Sequence, residues 1–120
     1  MTIEEMIERA HRTAKEKGWW DSVPGQPDRG FPEQIALMHS ELSEALEDYR
    51  VYGLEPDKFL HGYQGHPHIT KPCGIASELA DVLIRIADTC GRYGIPLEAA
   101  LEAKLTYNEI RPHRHGGKKC

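Results

Sequence analysis

Cysteine, basic charge and long apolar runs are all scarce in this chain of 120 residues. Its three cysteines, Cys73, Cys90 and Cys120, are an odd number at wide spacing, and no two form a C-x-x-C pair. That disfavours a zinc knuckle or a thiol redox motif, and the expectation is reduced thiols in a cytoplasmic protein. No apolar run approaches the ~20 residues needed to cross a bilayer, so no membrane partner is expected. The opening MTIEEMIERAHR is acidic and amphipathic, unlike a secretory signal. With 15 Lys and Arg against 19 Asp and Glu, the net charge is −4. A general nucleic-acid binder normally shows a basic surface, so nucleic acid is not an expected partner. Finally, no stretch reads as a strand pair.

What is present is helical punctuation. Hydrophobic residues at 39% and charged residues at 28% describe a soluble globular chain with room for one modest core. The expected class is all-α: one four-helix domain over residues 1–112, then a basic tail over 113–120. A first helix is expected over about residues 3–17, with Thr2 and Glu5 in the form of a capping box and Gly18 as the stop. A second should run from about Pro32 to Tyr52 with the apolar stripe Ile35, Met38, Leu42, Ala45/Leu46 and Tyr49. A third covers about 75–92, with Ile75, Leu79, Val82/Leu83, Ile86 and Cys90 as its stripe. The fourth starts near Pro96 and ends before Pro112. Between the second and third, residues 53–73 are rich in proline and glycine and read as a long loop.

One sentence is written twice. SELSEAL at 40–46 returns as SELADVL at 77–83, so that Glu41 matches Glu78 and Glu44 matches Asp81. On a helical wheel with the first acid of each copy at zero, the apolar stripe centres near about 90° and the second acid lies at about −60°. The acids therefore sit on the same edge of the same stripe in both helices. If the two helices pack through those stripes, all four carboxylates can face one pocket. Crowding there is costly: two like charges ~4 Å apart repel by about 4 kcal/mol at an effective dielectric of 20. Protonation, cationic side chains or a bound cation would relieve it. An all-oxygen ligand set suits Mg²⁺, or Mn²⁺ as a substitute, and Mg²⁺ favours phosphate oxygens. A single E-x-x-E is ordinarily a solvated helix edge; the repeated register turns the reading towards a metal. Asp48 and Asp88 flank the pairs on the same side, either as further ligands or as solvated acids.

The fourth helix carries a stripe that changes character. Leu97, Leu101, Lys104, Asn108 and Arg111 recur at core-facing spacing, yet the stripe ends in two cations and an amide. Either these residues meet a polyphosphate or the helix leaves the core after Leu105. The tail adds His113, Arg114, His115, Lys118 and Lys119, able to fold over an anion or to remain unengaged. Trp19 and Trp20 offer stacking surfaces for a base or cover for the core, and His39 lies beside the first acid pair. His61, His66 and His68 in the long loop lack matched metal spacing.

Together these motifs resemble the MazG-like nucleotide pyrophosphohydrolases. The resemblance rests on Glu41-x-x-Glu44, Glu78-x-x-Asp81 and Lys104-x-x-x-Asn108 followed by Arg111 and Pro112, and spans nearly the whole chain. It departs from relatives with a similar tail at 71–74, where KPCG replaces the usual KPEG. The resemblance implies a MazG-type helical bundle, Mg²⁺ dependence, and cleavage of a nucleoside triphosphate to monophosphate and pyrophosphate. It implies a homodimer or homotetramer, with Glu41, Glu44, Glu78 and Asp81 as metal ligands and Lys104 and Asn108 meeting phosphates. Arg111 and Arg114 are added here as phosphate contacts, Trp19, Trp20 and His39 as base contacts, and Glu44, Glu41 and Lys104 as the catalytic groups. A non-catalytic helical module that binds nucleotides or a protein is the rival reading. A di-iron carboxylate bundle is the remote one, since it wants E-x-x-H on two helices and only Glu8 to His11 has that spacing.

Overall fold

Thr2 begins the ordered chain as expected: its side chain accepts from the Glu5 amide while Glu5 reaches back to the Thr2 amide, closing the capping box. In the computed structural model, which describes residues 1–62 and 70–112, this cap starts α1 (Ile3–Glu16). It is followed by α2 (Phe31–Tyr52), a short 3₁₀ turn (Pro56–Lys58), α3 (Ile75–Tyr93) and α4 (Leu97–Ile110). The fold is all-α, and the described residues contain no strand. The punctuation explains the boundaries: Pro32 in the first turn of α2, Gly53 and Gly94 after α2 and α3, and Pro96 before α4.

The segment between α2 and α3 is more structured than a plain loop. The 3₁₀ turn leads into an isolated antiparallel bridge in which the His61 and Cys73 amides and carbonyls exchange hydrogen bonds of 2.9 and 2.8 Å. Gly74 closes this staple. Its φ is +107°, and a Cβ there would lie 2.4 Å from the Lys58 and Phe59 carbonyl oxygens, so only glycine fits. His66 and His68 lie outside the described residues.

Packing is centred on α3, which carries α2 on one side and α1 on the other. At the α1 crossing Gly91 lets the backbones approach, since a Cβ would sit 2.7 Å from the His11 Cβ. α4 leans on α1 over a short stretch, with Leu97 and Glu98 half-buried and its remaining residues exposed. One chain therefore does not close a four-helix bundle.

The condition that α2 and α3 pack through their apolar stripes is met in part: Ala45 and Cys90 are buried, while the leucines of both stripes stay exposed. The face of α2 turned to α3 carries Gln34, Glu41 and Ala45, all buried, while Leu46 stays 49% and Leu83 52% exposed. The reason is that α3 turns Glu78 and Arg85 to α2 and Asp88 and Gly91 to α1, and α4 is not placed to cover the neighbouring leucine arc. Only Ala45, Ala87 and Cys90 are buried apolar residues among those described. The 9210 Å² of accessible surface compares with about 6,600 Å² for a compact monomer of this mass. No helix is long and apolar enough to cross a membrane among the described residues.

Candidate functional site

Because α2 and α3 run antiparallel with their acid edges inward, the two copies of the repeated sentence meet. Carboxylate oxygens of Glu41, Glu44 and Glu78 lie within 4.8 Å of one another, spanning buried Glu41, half-buried Glu78 and exposed Glu44. Asp81 adjoins them: it interacts with the Glu41 charge and hydrogen-bonds Glu78. All four acids singled out by the duplication are thus neighbours. Acid clusters also occur on proteins without any ion, so proximity alone assigns no metal.

The crowding is partly relieved by a proton. Burial, then the hydrogen bond and charge of Glu44, then the charges of Asp48 and Asp81, push the Glu78 carboxyl from 4.5 up to about 7. Asp81 is also raised, by burial and then by Glu41, against the pull of Arg85 and Lys71. The remaining relief is a cation of the chain itself. Arg85 Nε donates to Glu41 Oε1 at 3.0 Å, in a pair largely shielded from solvent. Asp48 Oδ2 is buried beside this group without a hydrogen-bond partner among the described residues.

A cleft of about 660 Å³ opens from the acids towards α1. Glu41, Asp81, Arg85 and Asp88 form one side, and Arg9, Thr13, Lys17 and Trp19 form the other. The cleft therefore brings carboxylates and cations together, as a metal–polyphosphate ligand requires. Trp19 lies beneath two guanidinium groups, Arg29 at 3.8 Å and Arg85 at 4.8 Å from its ring centre. Its Nε1 is buried without a partner among the described residues.

Trp20 is placed differently. Its Nε1 donates to Asp88 Oδ1 at 2.9 Å, and His11 Nδ1 lies 2.9 Å from the same oxygen. Asp88 thus ties the loop and α1 to α3, and the Trp20 ring packs edge-on against His11 and Tyr93. His11 is engaged there, and Glu8 pairs with Arg12 at 3.5 Å on the surface of α1.

The other expected site residues are not brought to the cleft within one chain. His39 is exposed on α2 and does not line it. Lys104, Asn108 and Arg111 lie on or just after α4, outside its lining, with the Lys104 ammonium 5.9 Å from the Tyr107 ring centre. Arg114 lies outside the described residues.

Arg85, Arg9 and Lys17 are the cleft cations that sequence reasoning passed over. Arg85 carried a usable signal: it stands four residues after Asp81, on the same helical face. At Cys73, where a carboxylate would stand in KPEG, the thiol lies 3.5 Å from the Lys71 carbonyl instead. Compared with protein-family models, with curated proteins and with solved structures, the chain has no significant match to any.

Proposed function

We propose that the protein is a Mg²⁺-dependent nucleoside triphosphate pyrophosphohydrolase of the MazG-like kind, acting in nucleotide-pool housecleaning. The observation that carries this reading is the convergence of Glu41, Glu44 and Glu78, with Glu41 and its neighbour Asp81 lining a cleft that also carries Arg9, Lys17 and Arg85. The donor set fits a hard divalent ion: only carboxylate oxygens, among which burial and then the neighbouring Glu44 push the Glu78 carboxyl up to about 7. A bound Mg²⁺ would supply charge neutralisation of the triphosphate and an acidified water.

The chain's own contribution follows from position. Glu41, Glu44, Glu78 and Asp81 hold the ion, with Mn²⁺ as a substitute. Glu44, the exposed member, takes the proton from a water that attacks the α-phosphorus. The bridging α–β P–O bond breaks, and pyrophosphate leaves against the cations of the cleft. Trp19, which lines the cleft, offers its ring to the base.

Lys104, Asn108 and Arg111 enter this reading through a second copy of the chain. α4 stands away from its own cleft, and Leu42, Leu46, Leu79, Leu83, Leu101 and Leu105 are all exposed. A homodimer, or a homotetramer of two such pairs, covers that face and can bring α4 of one copy to the acids of the other.

The test is pyrophosphate release from a panel of ribo-, deoxy- and modified nucleoside triphosphates. Release should require Mg²⁺, stop with EDTA, and fall about a hundredfold or more in Glu41→Gln and Glu44→Gln. No release from any nucleotide overturns the enzyme. Nucleotide binding that survives Glu41→Gln without turnover in either protein favours the non-catalytic module.

A further inference from the structure

Arg85 holds the acid cluster with the wrong half of its side chain. It reaches Glu41 through Nε alone, while its terminal nitrogens make no hydrogen bond to the described residues and the side chain lines the cleft. A guanidinium committed to a carboxylate ordinarily presents its planar fork in a bidentate pair. Here the fork is left over, lying 4.8 Å from the Trp19 ring centre at the wall where an anionic ligand would lie. Among the described residues, no other cation is ion-paired with Glu41, Glu44, Glu78 or Asp81.

From this geometry we infer that Arg85 is the counter-ion of the metal-free cluster and a phosphate contact of the loaded one. A divalent cation and Arg85 compete for Glu41. Once the cation takes the carboxylate, the guanidinium turns from it along the Trp19 face, and its fork receives phosphate oxygens. The proposal rests on the metal reading above and adds a positioning and binding role for a residue outside the duplicated acids. It also gives Trp19 a second use, as the surface over which the guanidinium moves.

The experiment compares the wild-type protein with Arg85→Gln and Arg85→Lys by calorimetry, first with Mg²⁺ alone and then with pyrophosphate at saturating Mg²⁺. Removing the competitor should tighten Mg²⁺ binding about tenfold in Arg85→Gln and weaken pyrophosphate binding about tenfold. Arg85→Lys keeps the charge but loses the planar fork, so Mg²⁺ affinity stays near wild type while pyrophosphate still weakens. Indole fluorescence should change on Mg²⁺ addition in the wild type and not in Arg85→Gln. A merely structural arginine would give weaker or unchanged Mg²⁺ binding in both variants, and that result overturns the inference. If wild type and both variants fail to bind Mg²⁺ at all, the metal reading itself falls and takes this role with it.

Discussion

Glu78 shows at one residue what the acid cluster costs the fold. Between pH 4.5 and about 7 the folded chain retains a proton on Glu78 that the unfolded chain has released. Native protein then binds more protons than unfolded protein, so stability falls as pH rises through that window. Thermal melts of EDTA-treated protein should therefore show this contribution being lost from pH 4.5 to 7, and Glu78→Gln should flatten the slope. Adding Mg²⁺ at pH 7.5 should recover the lost stability in the wild type and less of it in the variant. The acids were legible in the sequence because the duplicated register marks them twice. Their relief was not. Arg85 and Glu41 are 44 positions apart in the chain, and His11 and Asp88 are 77 apart. Pairs like these exist only once α1, α2 and α3 have docked, and no local spacing encodes which cation meets which acid.

At the scale of elements, the ends were legible and the faces were not. Thr2 with Glu5, Pro32, Gly53 and Pro96 each act on their own few residues, so their meaning survives without tertiary context. Which stripe of α2 and α3 turns inward depends on what else covers them. The leucine stripe appeared to be the packing face because burial of leucine is normally favourable. α3, however, is packed by two helices, and the face it turns to α2 carries the acids and Arg85. Gly91 belongs to the same class of missed signal, a glycine inside a helix that marks a close crossing. Gly91→Val should force α1 off α3 and lower unfolding stability by about 1–3 kcal/mol in urea titrations. Gly25, where a Cβ would meet nothing within 4 Å, is the comparison site for added bulk, although its φ of +82° brings backbone strain of its own.

The whole molecule is organised around two surfaces of opposite character. Inward, α2 and α3 trap carboxylates; outward, they leave Leu42, Leu46, Leu79 and Leu83 about half exposed, with α4 adding Leu101 and Leu105. Under the proposed function these leucines form the face that a second copy covers. Leu46→Glu and Leu83→Lys, each on the outward arc, should shift the protein from dimer or tetramer to monomer in sedimentation equilibrium. If α4 of one copy completes the site of another, the same variants should lose activity without losing Mg²⁺ binding, since the acids belong to one chain. Retained activity in a demonstrated monomer would separate the cleft from any second copy.

The claim beneath all of these is that the inward acids form a divalent-cation site. Crystals of the protein grown with Mn²⁺ and measured at the manganese edge test it most directly. The account predicts an anomalous peak bonded to oxygens of Glu41, Glu44 and Glu78, with Asp81 alongside and the Arg85 guanidinium turned away from Glu41. A fully ordered cluster with no peak at millimolar Mn²⁺, and Arg85 still paired to Glu41, would contradict it.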